Sequence, residues 1–259
     1  MPLLLAIETS AQFCSVALYL DGKIENEVIE QPQGHSKYLL SLVDRQLLHA
    51  GICLGHLDGI AVSAGPGSFT GLRIGMGVVQ GLAFGAKLPV IPVSTLQVLA
   101  QRAIREGLAG NGELILPILD ARMQEVYWGL YLSERVSAAN HVDTHFDAME
   151  VSGQGLARAL INDQVAKPQL ISDIIINSGH VGDKGSEPRI QVGIGDGWCF
   201  AEDLNLAPVY SYPEAQALAI DIFPLALEKL VSGETLAPEA LEPFYIRKRI
   251  HWQKRERLR

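Results

Sequence analysis

The residues best suited to bind a phosphate are the glycines of GPGSFTG, 65–71, directly before a helical pattern. A glycine loop at a helix N-terminus often binds phosphate, because free backbone N–H groups and the helix dipole point at the ligand. This loop lacks the lysine of a P-loop, and its spacing differs from the dinucleotide fingerprint. In a second cluster, Gly193, Gly195 and Gly197, Trp198 stands where that fingerprint needs its last glycine. Neither loop therefore predicts a nucleotide or cofactor site.

Three other residues belong to types that catalyse reactions or bind metals. Ser63 lies in AVSAG, 61–65, one glycine short of the nucleophile elbow of hydrolases, so we interpret it as a strand-end residue. His141 and His145 stand four apart, as in a helical metal site, but they lack the glutamate of a zinc peptidase helix. Their polar surroundings favour a loop. The sequence thus predicts no catalytic residue and no metal site.

The segment after the glycine loop predicts a helix with many interior glycines. Each one costs roughly 1 kcal/mol relative to alanine, so these glycines must serve a packing purpose. They fall in one arc of less than half of the circumference: Gly71, Gly75, Gly77, Gly81 and Gly85. The same arc carries the ridge Ile74, Val78 and Leu82, and the opposite side is also apolar. A helix that is apolar on two sides is buried on two sides.

Two interpretations of the glycine arc are open, because small residues let another backbone approach closely. The arc packs on the chain's own sheet or second domain, or it receives another protein. Internal contacts explain most buried helix faces, so the pattern alone favours the first interpretation.

The elements around this helix repeat in a similar order in each half of the chain. The first half predicts a strand meander extended by crossovers, hence a mixed sheet, with strands near 3–7, 15–20, 28–29, 59–63 and 89–93 and helices at 35–50 and 94–105. The second half predicts strands at 114–119, 126–132 and 190–194, helices at 156–165, 200–204 and 213–230, and an irregular insertion at 167–188. We therefore expect lobes at 1–106 and 107–212, with helix 213–232 packing back on the first lobe and 233–259 as a C-terminal extension.

Composition favours a folded protein in a reducing compartment. Hydrophobic residues make up 48% and charged residues 19% of the 259 positions, enough for a proper core. Cys14, Cys53 and Cys199 are too few for a disulfide framework. The apolar start ends at Glu8, and no stretch approaches the length of a membrane span. We expect a cytoplasmic location without membrane contact.

Charge is unevenly distributed along the chain. Of its 21 basic and 29 acidic residues, 247–259 holds seven basic and one acidic, which leaves a net charge of −14 on the rest. An acidic body is a poor surface for nucleic acid, whereas a basic tail can contact phosphates. The alternative is a solubilising terminus without a ligand. The tail residues considered for contact with nucleic-acid phosphates are Arg247, Lys248, Arg249, Lys254 and Arg255.

Four segments carry a resemblance to a known family: AIETS at 6–10, GPGSFTGLRIG at 65–75, LDARMQEVYW at 119–128 and EPFYIR at 242–247. They resemble the TsaB family, and the resemblance spans nearly the whole chain. It implies an α/β fold of two actin-like, sugar-kinase-like (ribonuclease H-like) lobes, each a mixed sheet flanked by helices. It also implies a non-catalytic subunit of the machinery that makes threonylcarbamoyladenosine on tRNA. The implied partners are the catalytic homologue TsaD, which the subunit activates, and a TsaE-type ATPase, with tRNA contacted through the complex.

The catalytic features of related proteins are missing from this chain. TsaD carries a metal-binding His-x-x-x-His motif, and the corresponding stretch here, 92–99, has no histidine. Glu8 stands where aspartate is commoner, and in nucleotide-binding members of the fold an acid on this hairpin holds magnesium. Their second glycine-rich loop is replaced by the bulkier turn 120–123, DARM, and the segment 167–188 is longer than usual. The alternatives that remain are a metallopeptidase and an ATP-binding, kinase-like protein.

The resemblance shifts the interpretation of the glycine arc towards docking. We expect the arc and the helix 35–50 to form the surface that binds TsaD, and to pair with itself as a homodimer when TsaD is absent. The residues predicted at this surface are Leu39, Leu40, Val43, Gly71, Ile74, Gly75, Gly77, Val78, Gly81 and Leu82.

Overall fold

The computed structural model describes residues 2–31, 34–135, 155–180 and 189–247, and within these ranges the chain forms two five-stranded sheets. The first sheet contains β1 (Leu4–Glu8), β2 (Cys14–Leu20), β3 (Lys23–Ile29), β4 (Gly59–Ser63) and β5 (Val90–Val93). The second contains β6 (Leu114–Asp120), β7 (Val126–Glu134), β8 (Leu156–Ala166), β9 (Ile190–Ile194) and β10 (Tyr210–Tyr212). The helices are α1 (His35–His49), α2 (Phe69–Ala86), α3 (Thr95–Arg105), α4 (Pro168–Asn177), α5 (Ala201–Leu204) and α6 (Phe223–Ser232).

Both sheets are mixed, as the strand pattern predicted. The first has the order β3-β2-β1-β4-β5, in which β1, β2 and β3 form an antiparallel meander and β4 and β5 run parallel to β1. The second has the order β10-β9-β6-β7-β8, with the same combination of an antiparallel meander and two parallel strands. The connections between parallel strands cross over the sheet faces, where they place α1 and α2.

The helices pack on the outer face of each sheet and within one core that the two sheets share. Helices α1 and α2 bury the outer face of the first sheet, and α4 and α5 pack on the outer face of the second. Helices α3 and α6 lie in one continuous core that includes side chains of both sheets. The amide of Gln101 joins the lobes, because its Nε2 donates to the Gly155 carbonyl at 3.0 Å and its Oε1 accepts from the Ala157 N–H at 3.0 Å.

Three predictions for the second half were wrong. Residues 156–165 form β8 instead of a helix, because they pair with β7 from Leu156↔Glu134 to Ala166↔Val126. The segment predicted as irregular contains α4, which begins at Pro168, a residue that fits the first turn of a helix. The long helix 213–230 is replaced by a 3-10 turn, Ala219–Ile222, followed by α6. Pro224 is tolerated there because it lies in the first turn of α6.

No helix in the described part of the chain is long and apolar enough to cross a membrane.

Candidate functional site

Helix α2 is held against the end of β1 by two of its glycines. The Thr9 hydroxyl, which is buried, donates to the Gly71 carbonyl at 2.9 Å. A Cβ at Gly71 would lie 2.0 Å from the Thr9 carbonyl oxygen, and one at Gly75 would lie 2.1 Å from Thr9 Oγ1. The placement of Gly71 and Gly75 on the docking surface is therefore wrong, because both are packed against the chain's own first strand.

The other three glycines of α2 face away from the protein. Gly77, Gly81 and Gly85 are exposed, and a Cβ at any of them would have no neighbouring atom within 4 Å. Phe84, 67% exposed, lies on this side of the helix, and the ridge Ile74, Val78 and Leu82 is half-buried beside it.

Helix α1 contributes one of its three predicted residues, Leu40, to this surface. Leu39 and Val43 are each 1% exposed and belong to the core under α1, so their assignment to the docking surface is also wrong. Leu48, which the prediction did not include, is 81% exposed. Helices α1 and α2 contact each other. We call the outward-facing set the helix face: Leu40 and Leu48 of α1 with Ile74, Gly77, Val78, Gly81, Leu82, Phe84 and Gly85 of α2.

The caps of α2 define where the helix face begins and ends. Ser68 Oγ accepts a hydrogen bond from the Gly71 N–H at 3.3 Å, which starts the helix. Lys87 ends it in the left-handed conformation at φ 57°. Beyond this end the face continues into a groove of about 530 Å³ between Phe84, Leu88 and the segment 235–239. Phe69, exposed at the first turn, carries the Arg73 guanidinium 3.8 Å from its ring centre.

Glu8, the acid at the end of β1, is not exposed as a ligand for magnesium would be. Glu8 is fully buried, and its Oε1 accepts the Ser10 N–H at 2.5 Å. Burial raises the pKa of this carboxyl, although the hydrogen bond from the Ser10 N–H opposes the change. The protonated form is thereby favoured, and a neutral carboxyl is a poor ligand for a hard cation.

The turn between β6 and β7 carries the second acid, Asp120, whose oxygens are already engaged. Its Oδ1 accepts the Arg122 N–H at 2.7 Å, and its Oδ2 accepts from Arg122 Nη1 at 2.9 Å. The neighbouring Asp196 accepts the Asp120 N–H at 2.9 Å, and burial raises the pKa of the Asp196 carboxyl. Within the described ranges, no three side chains among His, Cys, Asp and Glu come together as a metal site. His141 and His145 lie outside those ranges.

The end of the described chain crosses from the first lobe to the second. We call residues 241–247 the strap. The Phe244 N–H donates to the Ala64 carbonyl after β4 at 2.8 Å, and Arg247 forms an ion pair with Glu125 in the β6–β7 turn. Arg247 Nη2 also donates to the Ala121 carbonyl at 3.2 Å. This guanidinium, considered for tRNA contact, is therefore bound within the chain, and Lys248, Arg249, Lys254 and Arg255 lie outside the described residues.

Sequence reasoning missed Leu48 and Phe84, the most exposed large side chains of the helix face. Leu48 lies on the opposite side of α1 from Leu39 and Val43 at 100° per residue, so the helical wheel places it on the outward face. Phe84 shares the arc of Gly77 and Gly81, so the helical wheel contained the signal. The strap carried no signal of this kind, because its contacts join residues more than a hundred positions apart.

Comparison with known proteins places the chain among tRNA-modification proteins. Residues 24–180 match the family model described as TsaD, tRNA N6-adenosine threonylcarbamoyltransferase. The chain is 33% identical to the tRNA threonylcarbamoyladenosine biosynthesis protein TsaB of Escherichia coli (strain K12), with 97% of each chain covered. It is 32% identical to the protein of the same name from Haemophilus influenzae, over 97% of this chain and 96% of that one.

Two solved structures from Pseudomonas aeruginosa share the fold over nearly the full length. One is a protein with similarity to peptidase YeaZ, which is 35% identical with a TM-score of 0.78 over 95% of this chain and 100% of that one. The other is YeaZ itself, which is 34% identical with a TM-score of 0.76 over the same shares. The expected architecture of two lobes, each a mixed sheet flanked by helices, is confirmed. By sequence and by fold, this chain belongs to the TsaB family.

Proposed function

We propose that this chain is a non-catalytic subunit that pairs with a TsaD-type transferase and activates it to form threonylcarbamoyladenosine on tRNA. The observation that carries the proposal is the helix face, an apolar surface on two adjacent helices that the described chain leaves uncovered. Exposed apolar patches of this kind mark sites of protein association. The names of the relatives support the pathway, and the match to the TsaD model supports a partner of the same fold.

The shape of the helix face suits another pair of helices. The open positions at Gly77, Gly81 and Gly85 allow a partner backbone to approach, while Val78 and Leu82 form an i, i+4 ridge that fits the groove of a facing helix. Phe84 and Leu48 are large apolar groups that can anchor the contact in pockets of the partner. The structural homology of TsaD-type proteins means that the partner can offer the equivalent two helices.

The same geometry favours self-association when the partner is absent. An apolar patch that matches a homologous patch also matches its own copy about a two-fold axis. We therefore include a homodimer through the helix face in the proposal, in competition with the heterodimer.

The non-catalytic part of the proposal rests on Glu8, at the end of β1, and on Asp120, in the turn that replaces the second glycine-rich loop. Glu8 is buried with a raised pKa, and Asp120 is bonded to Arg122. Neither carboxyl is free to hold a nucleotide-bound magnesium ion. The kinase and peptidase alternatives have no comparable support from the described residues.

Substitution of the open glycines tests the docking surface. Gly77→Leu or Gly81→Leu is expected to push the partner helix away, and overpacking of about 1–3 kcal/mol corresponds to a roughly 5- to 150-fold loss of affinity for the TsaD-type subunit. Isothermal titration calorimetry would measure it. Gly77→Ala adds one methyl and should bind nearly as well. Gly55→Leu is the matched control, because Gly55 is equally open but lies outside the helix face. Leu variants that fold and bind as tightly as the parent would contradict the proposal.

A further inference from the structure

The strap ends against a turn with an unusual backbone. Arg122, Met123 and Gln124 all have left-handed conformations, with φ of 64°, 57° and 61°. Such a conformation costs a non-glycine residue roughly 1–2 kcal/mol. Three in succession persist only where the surroundings hold them, and residues of this kind cluster at functional sites.

The bonds that hold this turn come from both sides. The Ala121 N–H donates to the Glu125 carbonyl at 2.9 Å, and the Asp120 carboxylate holds Arg122 as described above. From the strap, Arg247 binds the Ala121 carbonyl and the Glu125 carboxylate, and its Nη1 lies 3.7 Å from Met123 Sδ. The outcome is a fixed turn that displays the Arg122 and Met123 side chains to solvent.

The strap displays two aromatic rings beside the turn. Phe244 and Tyr245 are both exposed, Tyr245 by 59%, although they lie within three residues of the anchored Arg247. The backbone of Phe244 is itself fixed by its bond to the Ala64 carbonyl. We call the four exposed side chains Arg122, Met123, Phe244 and Tyr245 the strap patch. Aromatic rings and a guanidinium plane are the groups on which unpaired bases stack.

The charge that favours a polyanion here comes from the basic end of the sequence. Among the described residues, Arg122 and Arg247 are paired with Asp120 and Glu125, and Asp196 and Glu242 are two further acids. Arg247 begins the segment with seven basic residues and one acid, whereas the remainder of the chain has a net charge of −14. A phosphate-bearing strand is therefore repelled by most of the molecule and attracted to the neighbourhood of the strap.

We propose that the strap patch is a contact surface for single-stranded RNA, with bases stacked on Tyr245 and Phe244 and a phosphate at Arg122. The proposal rests on the proposed function only for the identity of the RNA, which would be a single-stranded region of the tRNA that the complex modifies. Strap and turn would then hold the backbone of these residues in place before binding, so that little backbone freedom is lost when RNA binds.

The test uses the full-length chain alone and a fluorescently labelled, single-stranded oligoribonucleotide at low salt, followed by anisotropy. Tyr245→Ala is expected to raise the Kd about 5- to 150-fold, the loss typical of one stacked base, whereas Tyr245→Phe keeps the ring and the affinity. Tyr210→Ala is the matched control, because Tyr210 is similarly exposed, at 48%, on β10. Arg122→Ala should lower the slope of log Kd against log salt by about one, and Arg45→Ala, an exposed arginine on α1, should leave it unchanged.

Three results would overturn the proposal: no RNA binding by the parent chain at low salt, unchanged affinity in Tyr245→Ala, or an equal loss in Tyr210→Ala. A fourth is a Tyr245→Ala chain that binds RNA normally but loses the TsaD-type subunit, which would make the patch a protein contact. Because the assay contains no partner subunit, its failure leaves the proposed pairing through the helix face standing.

Discussion

The glycines of α2 differ in which atoms surround the position that a Cβ would occupy. At Gly71 and Gly75 that position is filled by Thr9, whereas at Gly77, Gly81 and Gly85 it is open. The spacing along the helix correctly grouped all five in one arc. It could not separate them, because the atom that distinguishes Gly71 from Gly77 belongs to a residue about sixty positions earlier in the chain.

Alanine at Gly71 and at Gly77 should therefore have opposite effects on stability. Gly71→Ala places a methyl group against the Thr9 carbonyl, and we expect the free energy of unfolding to fall by about 1–3 kcal/mol. Gly77→Ala meets no atom and should raise it by up to about 1 kcal/mol through helix propensity. Urea unfolding of the two variants measures both changes. A similar change of the same sign in each would show that the two positions are equivalent, contrary to the structure.

A second residue-scale prediction concerns Asp221, which is buried beside Arg105. Arg105 Nε donates to its Oδ1 at 2.5 Å, but desolvation dominates and raises the Asp221 pKa to about 6. A carboxyl whose pKa is higher in the folded state stabilises the fold below its unfolded pKa, and this contribution is lost as the pH rises towards 6. Asp221→Asn does not titrate, so its free energy of unfolding relative to the parent should increase from pH 4 to pH 6. The rise should be at most about 3 kcal/mol.

Denaturant unfolding of parent and Asp221→Asn at several pH values gives this difference directly. Other titrating groups are common to the two proteins and cancel in the comparison. A difference that stays constant between pH 4 and pH 7 would mean that Asp221 keeps an ordinary pKa in the folded protein.

At the scale of elements, the local sequence pattern correctly predicted the helices and strands that are stabilised by interactions between neighbouring residues. The meander β1–β3 and helices α1 to α3 have clear periodicity and turn signals, and α2 and α3 also have the side-chain N-caps Ser68 and Ser94. Strand β8 has an Ala- and Leu-rich stretch that is compatible with a helix, and only its pairing with β7 makes it a strand. The strap has no periodicity from which its position could be predicted. It is held by its backbone and by Arg247, which bond to loops of both lobes.

The strap is expected to depend on the charges of Arg247 and Glu125. Arg247→Glu or Glu125→Arg alone should speed hydrogen exchange in residues 121–125 and lower the unfolding free energy by up to about 1 kcal/mol, because the pair is only partly buried. The double reversal should restore much of both. Reversing the exposed pair Arg45 and Glu27 is the control, since it should leave exchange in 121–125 unaltered. Fast exchange that persists in the double variant would show that the ion pair does not hold the turn.

At the scale of the whole molecule, two lobes are joined into one body, and the described residues leave the helix face uncovered. Sheets from both lobes share one core around α3 and α6, and the strap adds a second connection. The family and the two-sheet architecture were within reach of the sequence, because the glycine motif and the strand order are local features. The sequence could not predict which side chains remain exposed, because burial depends on how the helices pack on their sheet.

Reconstitution of the modification reaction tests the central claim most directly. The TsaD-type subunit would be supplied with its other required components and tRNA, with or without this chain, and threonylcarbamoyladenosine measured in the digested tRNA by mass spectrometry. We predict no product from this chain without the TsaD-type subunit, strong stimulation when the two are combined, and loss of that stimulation with Gly77→Leu but not with Gly55→Leu. Product formation by this chain without the TsaD-type subunit, or full stimulation by Gly77→Leu, would contradict a non-catalytic subunit that acts through its helix face.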